Sequence, residues 1–506
     1  MRIRHSALVC LGFFLWTVPL SAGELLPIAV AVAEGRATCC SVSRSGFQAG
    51  SKYLPIGVFD SGVGGLTVLR SILTLDRFDN RTGEPGSDGR PDFEAERFIY
   101  LGDQANMPYG NYPAEDGVDF LRELVVKDGA FLLGSRYWPG AETEEPALDK
   151  VPVKAIVIAC NTATAYGLED LRAAVELWEV PVAVIGVVEA GARGAVQEGR
   201  GPALAVGVLA TRGTCASQGY VKAIEKVCRE RGLPVPAVVQ QGCLGLAGAV
   251  EGEASYIDPD GGGVEREVDY RGPAVGSKDA PIDTALVPFY GFDPDGILGW
   301  GREPGLWQLN SVENYIRYHC LGLVENYRRT RGPGAGPIGT VILGCTHFPF
   351  YRQEFISALE RLRTITAPDG GEPYGELLAG EIEIIDPALL TAGELYRTLK
   401  DQDLLLAAGE ESIISTHEFY ISVPNRSLGE AELTAGGTFT YAYKYGRKPG
   451  RAGVEYVRRV PMSAASLSAA AVETVRKSMP GVWLHLVEFN RRSPRCVTLP
   501  DPLRFN

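Results

Sequence analysis

The chain has 506 residues, 45% of them hydrophobic and 22% charged, which suits two or three domains with proper cores and excludes a disordered chain or a disulfide miniprotein. Its formal net charge of -13 argues against nucleic acid as the main partner, because no local basic excess offers a phosphate-binding surface. An anionic substrate must then be met by local donors, not by a global field.

The chain opens with Arg2, Arg4 and His5 ahead of the apolar run Ala7 to Leu20, closed by the small residues Ser21, Ala22 and Gly23. That is the layout of a secretory signal peptide over residues 1–22, with cleavage after Ala22 and export to the periplasm as the expectation. The competing readings are a buried N-terminal helix or a start codon placed too far upstream, which would leave the protein cytoplasmic. No later stretch is long and apolar enough to span a bilayer, so the mature chain is not expected to insert stably into a membrane. Ten cysteines are scattered without a framework of short spacings. Cys39 and Cys40, adjacent in a polar leader, are the pair expected to oxidise, while Cys228 and Cys320 read as small buried hydrophobes in helices.

From Pro55 onward short apolar runs alternate with helical periodicity, the pattern of βαβ units and a mainly parallel sheet. Strands are predicted at Ile56–Phe59, Arg97–Leu101, Ala155–Ala159, Val182–Ile185, Ala205–Leu209, Val238–Gln240, Thr340–Leu343 and Ile382–Ile385. Helices are predicted at Leu168–Leu177, Ser217–Glu230 and Val312–Arg329. The fold class is α/β. Three stretches rich in Gly, Pro and acidic residues, Phe78–Glu96, Gly134–Lys150 and Gly252–Gly305, read as surface insertions. After Arg426 the character changes: a strand at Thr438–Lys444, a helix near Ala464–Lys477 and the apolar run Val482–Val487 suggest a small appended domain.

The chain also echoes itself. Ile56-Gly-Val-Phe-Asp60-Ser61-Gly-Val-Gly-Gly resembles Val206-Gly-Val-Leu-Ala210-Thr211-Arg-Gly-Thr, and Ile156-Val-Ile-Ala-Cys160-Asn161-Thr162 resembles Val341-Ile-Leu-Gly-Cys345-Thr346-His347. Two similar halves would set two similar strand ends face to face. In open α/β sheets ligands bind beyond the carboxyl ends of the strands, where Cys160 and Cys345 both fall. Each precedes polar side chains and a helix start, whose amides favour an anion and lower a thiol pKa.

Two thiols on opposite faces of a stereocentre could invert it, one removing the α-proton as thiolate while the other donates from the far side. Core packing is the bland reading of a single strand-end cysteine, and the echoing polar contexts weigh against it. Asp60 and Ser61 end the first strand before a Gly-Val-Gly-Gly turn whose amides can face a carboxylate. Asp60 could bind an ammonium group, assist Cys160 or simply cap the turn. The turn lacks the Gly-Lys-Ser/Thr of a phosphate loop and a full dinucleotide fingerprint. His347 can orient or activate Cys345. No CxxC or paired-His spacing completes a zinc site, so no metal is expected.

At these residues the sequence resembles the glutamate racemase family, within the aspartate/glutamate racemase superfamily. The matching segments are Gly57–Val68, Tyr100–Asp103, Pro108–Gly110, Ile158–Thr164, Val206–Thr214 and Leu343–Pro349, and the resemblance runs from about Pro55 to about Pro424. It implies that Asp60, Ser61, Tyr109, Gly110, Asn161, Thr162, Thr346 and His347 bind substrate while Cys160 and Cys345 exchange protons without a cofactor. Thr214 is a further binding candidate. Cys243-Leu-Gly-Leu-Ala-Gly-Ala-Val-Glu251 fits the family's Cys-Pro…Val-Glu segment loosely, with its prolines lost, and offers Glu251 as a helper.

The resemblance further implies two pseudo-symmetric α/β domains with substrate held between them. The expected division is a signal peptide 1–22, a leader 23–54, a first domain 55–188, a second domain 189–386 with the insertion 252–305, a return 387–426 to the first domain, and a C-terminal extension 427–506. The expected reaction interconverts L- and D-glutamate and supplies D-glutamate for peptidoglycan. Alternatives are a racemase of aspartate or another amino acid of the superfamily, or an exported binding protein on this scaffold. A homodimer stays open as an assembly.

Overall fold

The run from Ile56 to Asp60 is buried along its whole length, as are Phe98–Gly102, Ala155–Ile158, Ala205–Ala210 and Ile338–Gly344, and such runs fit a parallel sheet covered by helices. The computed structural model describes residues 25–37, 39–42, 47, 51–196, 204–258, 270–301, 307–367 and 370–506. The expected signal segment lies outside these residues, as do parts of the long insertion. Strands β1 (Ile56–Asp60), β2 (Phe98–Gly102), β3 (Ala155–Ile158) and β4 (Ala183–Gly186) pair in parallel in the order β2-β1-β3-β4.

A second sheet holds β5 (Ala205–Ala210) and β6 (Val238–Gly242). After a two-residue ribbon, β7 (Ile297–Leu298) with β8 (Gln308–Leu309), it is completed by β9 (Ile338–Gly344) and β10 (Leu378–Ile385). Its order is β6-β5-β9-β10, again all parallel. Taken in chain order within each half, the two sheets share one topology, which makes β1 and β5 counterparts and likewise β3 and β9. The fold is therefore α/β with two pseudo-symmetric halves, and the sequence echo has a topological basis.

Strand β11 (Glu418–Pro424) then joins the first sheet parallel to β2, and β12 (Val457–Pro461) adds an antiparallel edge. The tail differs from expectation in two ways. Thr438–Lys444 is not a strand: Phe439 makes only an isolated bridge to Leu433, and Thr440 accepts a hydrogen bond from the Tyr443 amide to start the helix Tyr441–Gly446. Nor is the tail a separate appendix. Val460, Met462, Val475, Val482, Leu486 and Phe489 share one core with Val58, Tyr100 and Phe419 of the first sheet, because β12 extends that sheet and the helix Pro480–Arg492 covers it.

The insertions are also tied down more firmly than surface loops. Phe78 stacks on Tyr396 with ring centres 3.9 Å apart, Trp138 is buried, and Tyr256 and Tyr290 lie in the core of the second half. Their Gly- and Pro-rich composition hides these few aromatic anchors. The helix after β3 starts at Asn161, not Leu168, because Cys160 caps it and accepts from the Ala163 amide at 3.5 Å. Cys228 and Cys320 are buried within helices, as expected of small hydrophobes. Cys39 and Cys40 are free thiols with Sγ atoms 2.9 Å apart.

Candidate active site

Four strand ends converge between the halves. Asp60 closes β1, Cys160 follows β3, Thr211 follows β5 and Cys345 follows β9. Asp60 is fully buried. Its Oδ2 accepts from the amides of Gly62 (3.1 Å) and Gly65 (2.9 Å), so the Gly-rich turn folds back onto the carboxylate. Its Oδ1 accepts from Thr346 Oγ1 of the other half at 3.4 Å. Burial pushes the Asp60 carboxyl up, while His347 and the two amides pull it down. The turn needs glycine for close approach: a Cβ on Gly64 would lie 2.6 Å from Thr346 Oγ1 and 2.7 Å from His347 Cε1.

The two thiols differ in their company. Cys160 is 6% exposed, and its Sγ lies 3.8 Å from Ser61 Oγ. Burial, then the Asp60 carboxylate and more weakly Cys345, push its thiol up, against the pull of the Ala163 amide and Ser61. Cys345 is 5% exposed and sits 3.6 Å from His347 Nδ1. His347 Nε2 in turn donates to Glu251 Oε1 at 2.8 Å. Burial works against a charged His347 ring, but the hydrogen bonds to Cys345 and Glu251 outweigh it and hold the imidazole well above its ordinary pKa. Glu251–His347–Cys345 is thus a continuous relay, with an imidazolium able to stabilise a thiolate.

The remaining expected residues fall around these groups. Thr162, Thr211 and Thr214 form a hydroxyl trio with oxygens 2.9–3.0 Å apart. Asn161 Oδ1 accepts from the Tyr220 hydroxyl, and Asn161, Cys345 and Thr346 line one small hollow with Thr67. Gly110 packs against Thr211, where a Cβ would meet the Thr211 Cβ at 2.6 Å. Tyr109, an expected substrate-binding residue, is buried. Its hydroxyl is engaged in the interior with Asp103 and, at 2.8 Å, with Asp128. Burial and those carboxylates push the phenol well up.

Several neighbours escaped the sequence reading. Gln104 donates to Glu251 Oε2 at 3.3 Å, and Asp128 lies on the helix Val118–Leu133 far along the chain. Thr211 stood inside the echo, so its hydroxyl was the one available signal. Arg447, Arg459 and Ser468 come from the C-terminal extension, outside every matching motif. Among the described residues, no group of three or more His, Cys, Asp or Glu is placed to hold a metal ion, and no helix is long and apolar enough to cross a membrane.

Residues 140–251 match the family described as Asp/Glu/Hydantoin racemase. The glutamate racemase of Limosilactobacillus fermentum is 35% identical over 204 residues, 39% of this chain and 59% of that protein. The glutamate racemase of Enterococcus faecalis is 39% identical over 170 residues, 34% of this chain and 46% of that protein. A longer match, to the glutamate racemase of Lactobacillus johnsonii, is 25% identical over 366 residues, 72% of this chain and 87% of that protein. The chain thus spans about half the length of the first two relatives.

Proposed function

From the match of residues 140–251 to the Asp/Glu/Hydantoin racemase family, we propose that this chain is an amino-acid racemase that interconverts L- and D-glutamate without a cofactor. The observation that carries the reading is the pair of buried thiols at topologically equivalent strand ends, Cys160 after β3 and Cys345 after β9, with one carboxylate, Asp60, between their halves.

In one direction Cys345, paired with the His347 imidazolium, takes the α-proton onto its sulfur. The resulting carbanion receives the Cys160 thiol proton from the opposite face, leaving Cys160 as thiolate. The reverse direction exchanges the roles, so no proton or electron is lost. The threonine trio and the main chain of Tyr109–Gly110 supply donors for the substrate carboxylates, and Asp60, held by the Gly62 and Gly65 amides, an acceptor for its ammonium group. The product D-glutamate fits a supply role for peptidoglycan. Residues 1–22 are proposed as an export signal, which N-terminal sequencing of the natural protein tests.

The direct test follows optical rotation and α-hydrogen exchange of each glutamate enantiomer in D2O under reducing conditions. Inversion with solvent deuterium incorporation is expected. If neither isomer inverts or exchanges while the protein is folded and its thiols reduced, the reading is wrong.

A further inference from the structure

The C-terminal extension lies outside all the motifs that carry the resemblance, yet it reaches the site at separate points. Arg459 Nη2 donates to Asp128 Oδ1 at 2.8 Å, and Asp128 Oδ2 accepts from the Tyr109 hydroxyl at 2.8 Å. Arg447 Nη2 donates to Asn106 Oδ1 (2.6 Å) and to the Tyr112 hydroxyl (3.2 Å). Lys444 Nζ donates to the Met107 carbonyl at 2.6 Å, and the Tyr445 hydroxyl to the Pro108 carbonyl at 3.2 Å. The whole turn from Asn106 to Tyr112 is therefore gripped from behind. On its front, Gly110 lies against Thr211, a member of the hydroxyl trio that includes Thr162, two residues from Cys160.

A further contact lies on the other half. Ser468 caps the helix Ala469–Ser478, accepting from the Ala471 amide at 3.1 Å, and donates its hydroxyl proton to the Glu251 carbonyl at 3.1 Å. Gly252, the next residue, has φ of +70° and no room for a side chain, since a Cβ there would lie 2.8 Å from Ala470 Cβ. The extension thus touches the backbone of the residue that orients His347.

We propose that the C-terminal extension is a working part of the catalytic site, with Arg447 and Arg459 positioning the Tyr109–Gly110 turn and Ser468 positioning Glu251. A plain stabilising clamp would be better made of apolar residues, because burying guanidinium groups costs solvation. Here both are buried, and Arg447 Nη1 and Arg459 Nε have no hydrogen-bond partner among the described residues. What the two arginines gain for that cost is a fixed geometry at Asn106, Tyr112 and Asp128, the groups behind the substrate turn.

This inference rests on the racemase reading, so its test separates the two. The full-length protein is compared with Arg459→Met, Arg459→Lys, Arg447→Met and Ser468→Ala, each checked for folding by circular dichroism. The two Met variants are expected to raise KM for glutamate about tenfold with a smaller loss of kcat, through misplacement of the turn. Arg459→Lys is expected to recover most of the loss. Ser468→Ala is expected to lower kcat about threefold at unchanged KM and to shift the alkaline limb of the pH profile, as the loss of one hydrogen bond would. Amide hydrogen exchange over residues 103–112 should quicken in both Met variants while β1 and β3 stay protected.

Folded Met variants with parental KM and kcat, and unchanged exchange in the turn, overturn the proposal. If the Met variants do not fold, Ser468→Ala decides: a parental kcat and pH profile overturns it. If the parent itself neither inverts nor exchanges glutamate, the racemase reading falls. Exchange at residues 103–112 then still tells whether the extension holds the turn.

Discussion

Replacing Glu251 with Gln keeps the shape of the side chain and removes one buried negative charge from the end of the relay. The contact at stake is His347 Nε2 to Glu251 Oε1, 2.8 Å long, with both side chains almost wholly buried. A bare Coulomb figure at that distance is large, but desolvation of the two groups cancels most of it. The better measure is the difference between a charged hydrogen bond, about 1.5–3 kcal/mol, and a neutral one, about 0.5–1.5 kcal/mol. That leaves about 1–1.5 kcal/mol, or about one pH unit in the proton affinity of the relay.

The sign follows from His347, whose imidazole is held well above its ordinary pKa in part by Glu251. With Gln the ring loses its proton at lower pH. The alkaline limb of kcat/KM should therefore move about one unit toward acid, with activity on that limb down about tenfold. The fold should survive, because Gln104 already donates to Glu251 Oε2, and its own Oε1 has no partner among the described residues and can turn to accept the new amide. Racemisation followed by circular dichroism across the pH range, in both directions, measures the shift. An alkaline limb within about 0.3 units of the parent's would refute the relay, since the charged contact would then be contributing little.

Other consequences follow from the same geometry. Cys160→Ser and Cys345→Ser should each lower racemisation about a thousandfold or more, since a hydroxyl is too weak an acid and its conjugate base too scarce near neutrality; unimpaired inversion in either removes the two-thiol account. Gly64→Ala would drive a methyl into Thr346 and His347, with about 1–3 kcal/mol of destabilisation and about a hundredfold loss of kcat, read by denaturant unfolding and initial rates. Asp128 is pushed up to about 7, by burial first and then by Asp103, against the pull of Arg459. Its folded form therefore holds a proton more tightly than the unfolded chain, and the stability this lends is lost as pH rises from the ordinary carboxylate range through about 7. Asp128→Asn should flatten that decline, so the fall in Tm between pH 5.5 and pH 8 (about two and a half units) narrows; an equal fall in both proteins contradicts the sign.

The α/β class and the strand ends that carry Cys160 and Cys345 were legible in the chain because buried parallel strands write themselves as short, continuous apolar runs. A polar residue that ends such a run marks the functional edge of the sheet. The same local signal exposed Asp60, Ser61 and His347, all of them within two residues of a strand end or of a thiol. The echo of Ile56–Ser61 with Val206–Thr211 pointed to two similar halves, and β1 and β5 hold the same place in the orders β2-β1-β3-β4 and β6-β5-β9-β10.

Pairing across long separations was not legible. Nothing local sends the Tyr109 hydroxyl to Asp128 instead of to a ligand, joins Gln104 to Glu251, or brings Arg447, Arg459 and Ser468 onto the site. The tail looked like an appendix because its strand, Val457–Pro461, is a short stretch interrupted by two arginines. Those arginines are buried only because β12 pairs with β11 and lays them against carboxylates and carbonyls supplied by other parts of the chain. Hydrophobic periodicity is a property of neighbours in sequence, whereas the partner of a buried charge is set by packing. That is why the two thiols, with Asp60, Ser61 and His347 beside them, could be read from the chain, whereas the contacts of Gln104, Asp128 and the tail needed the folded structure.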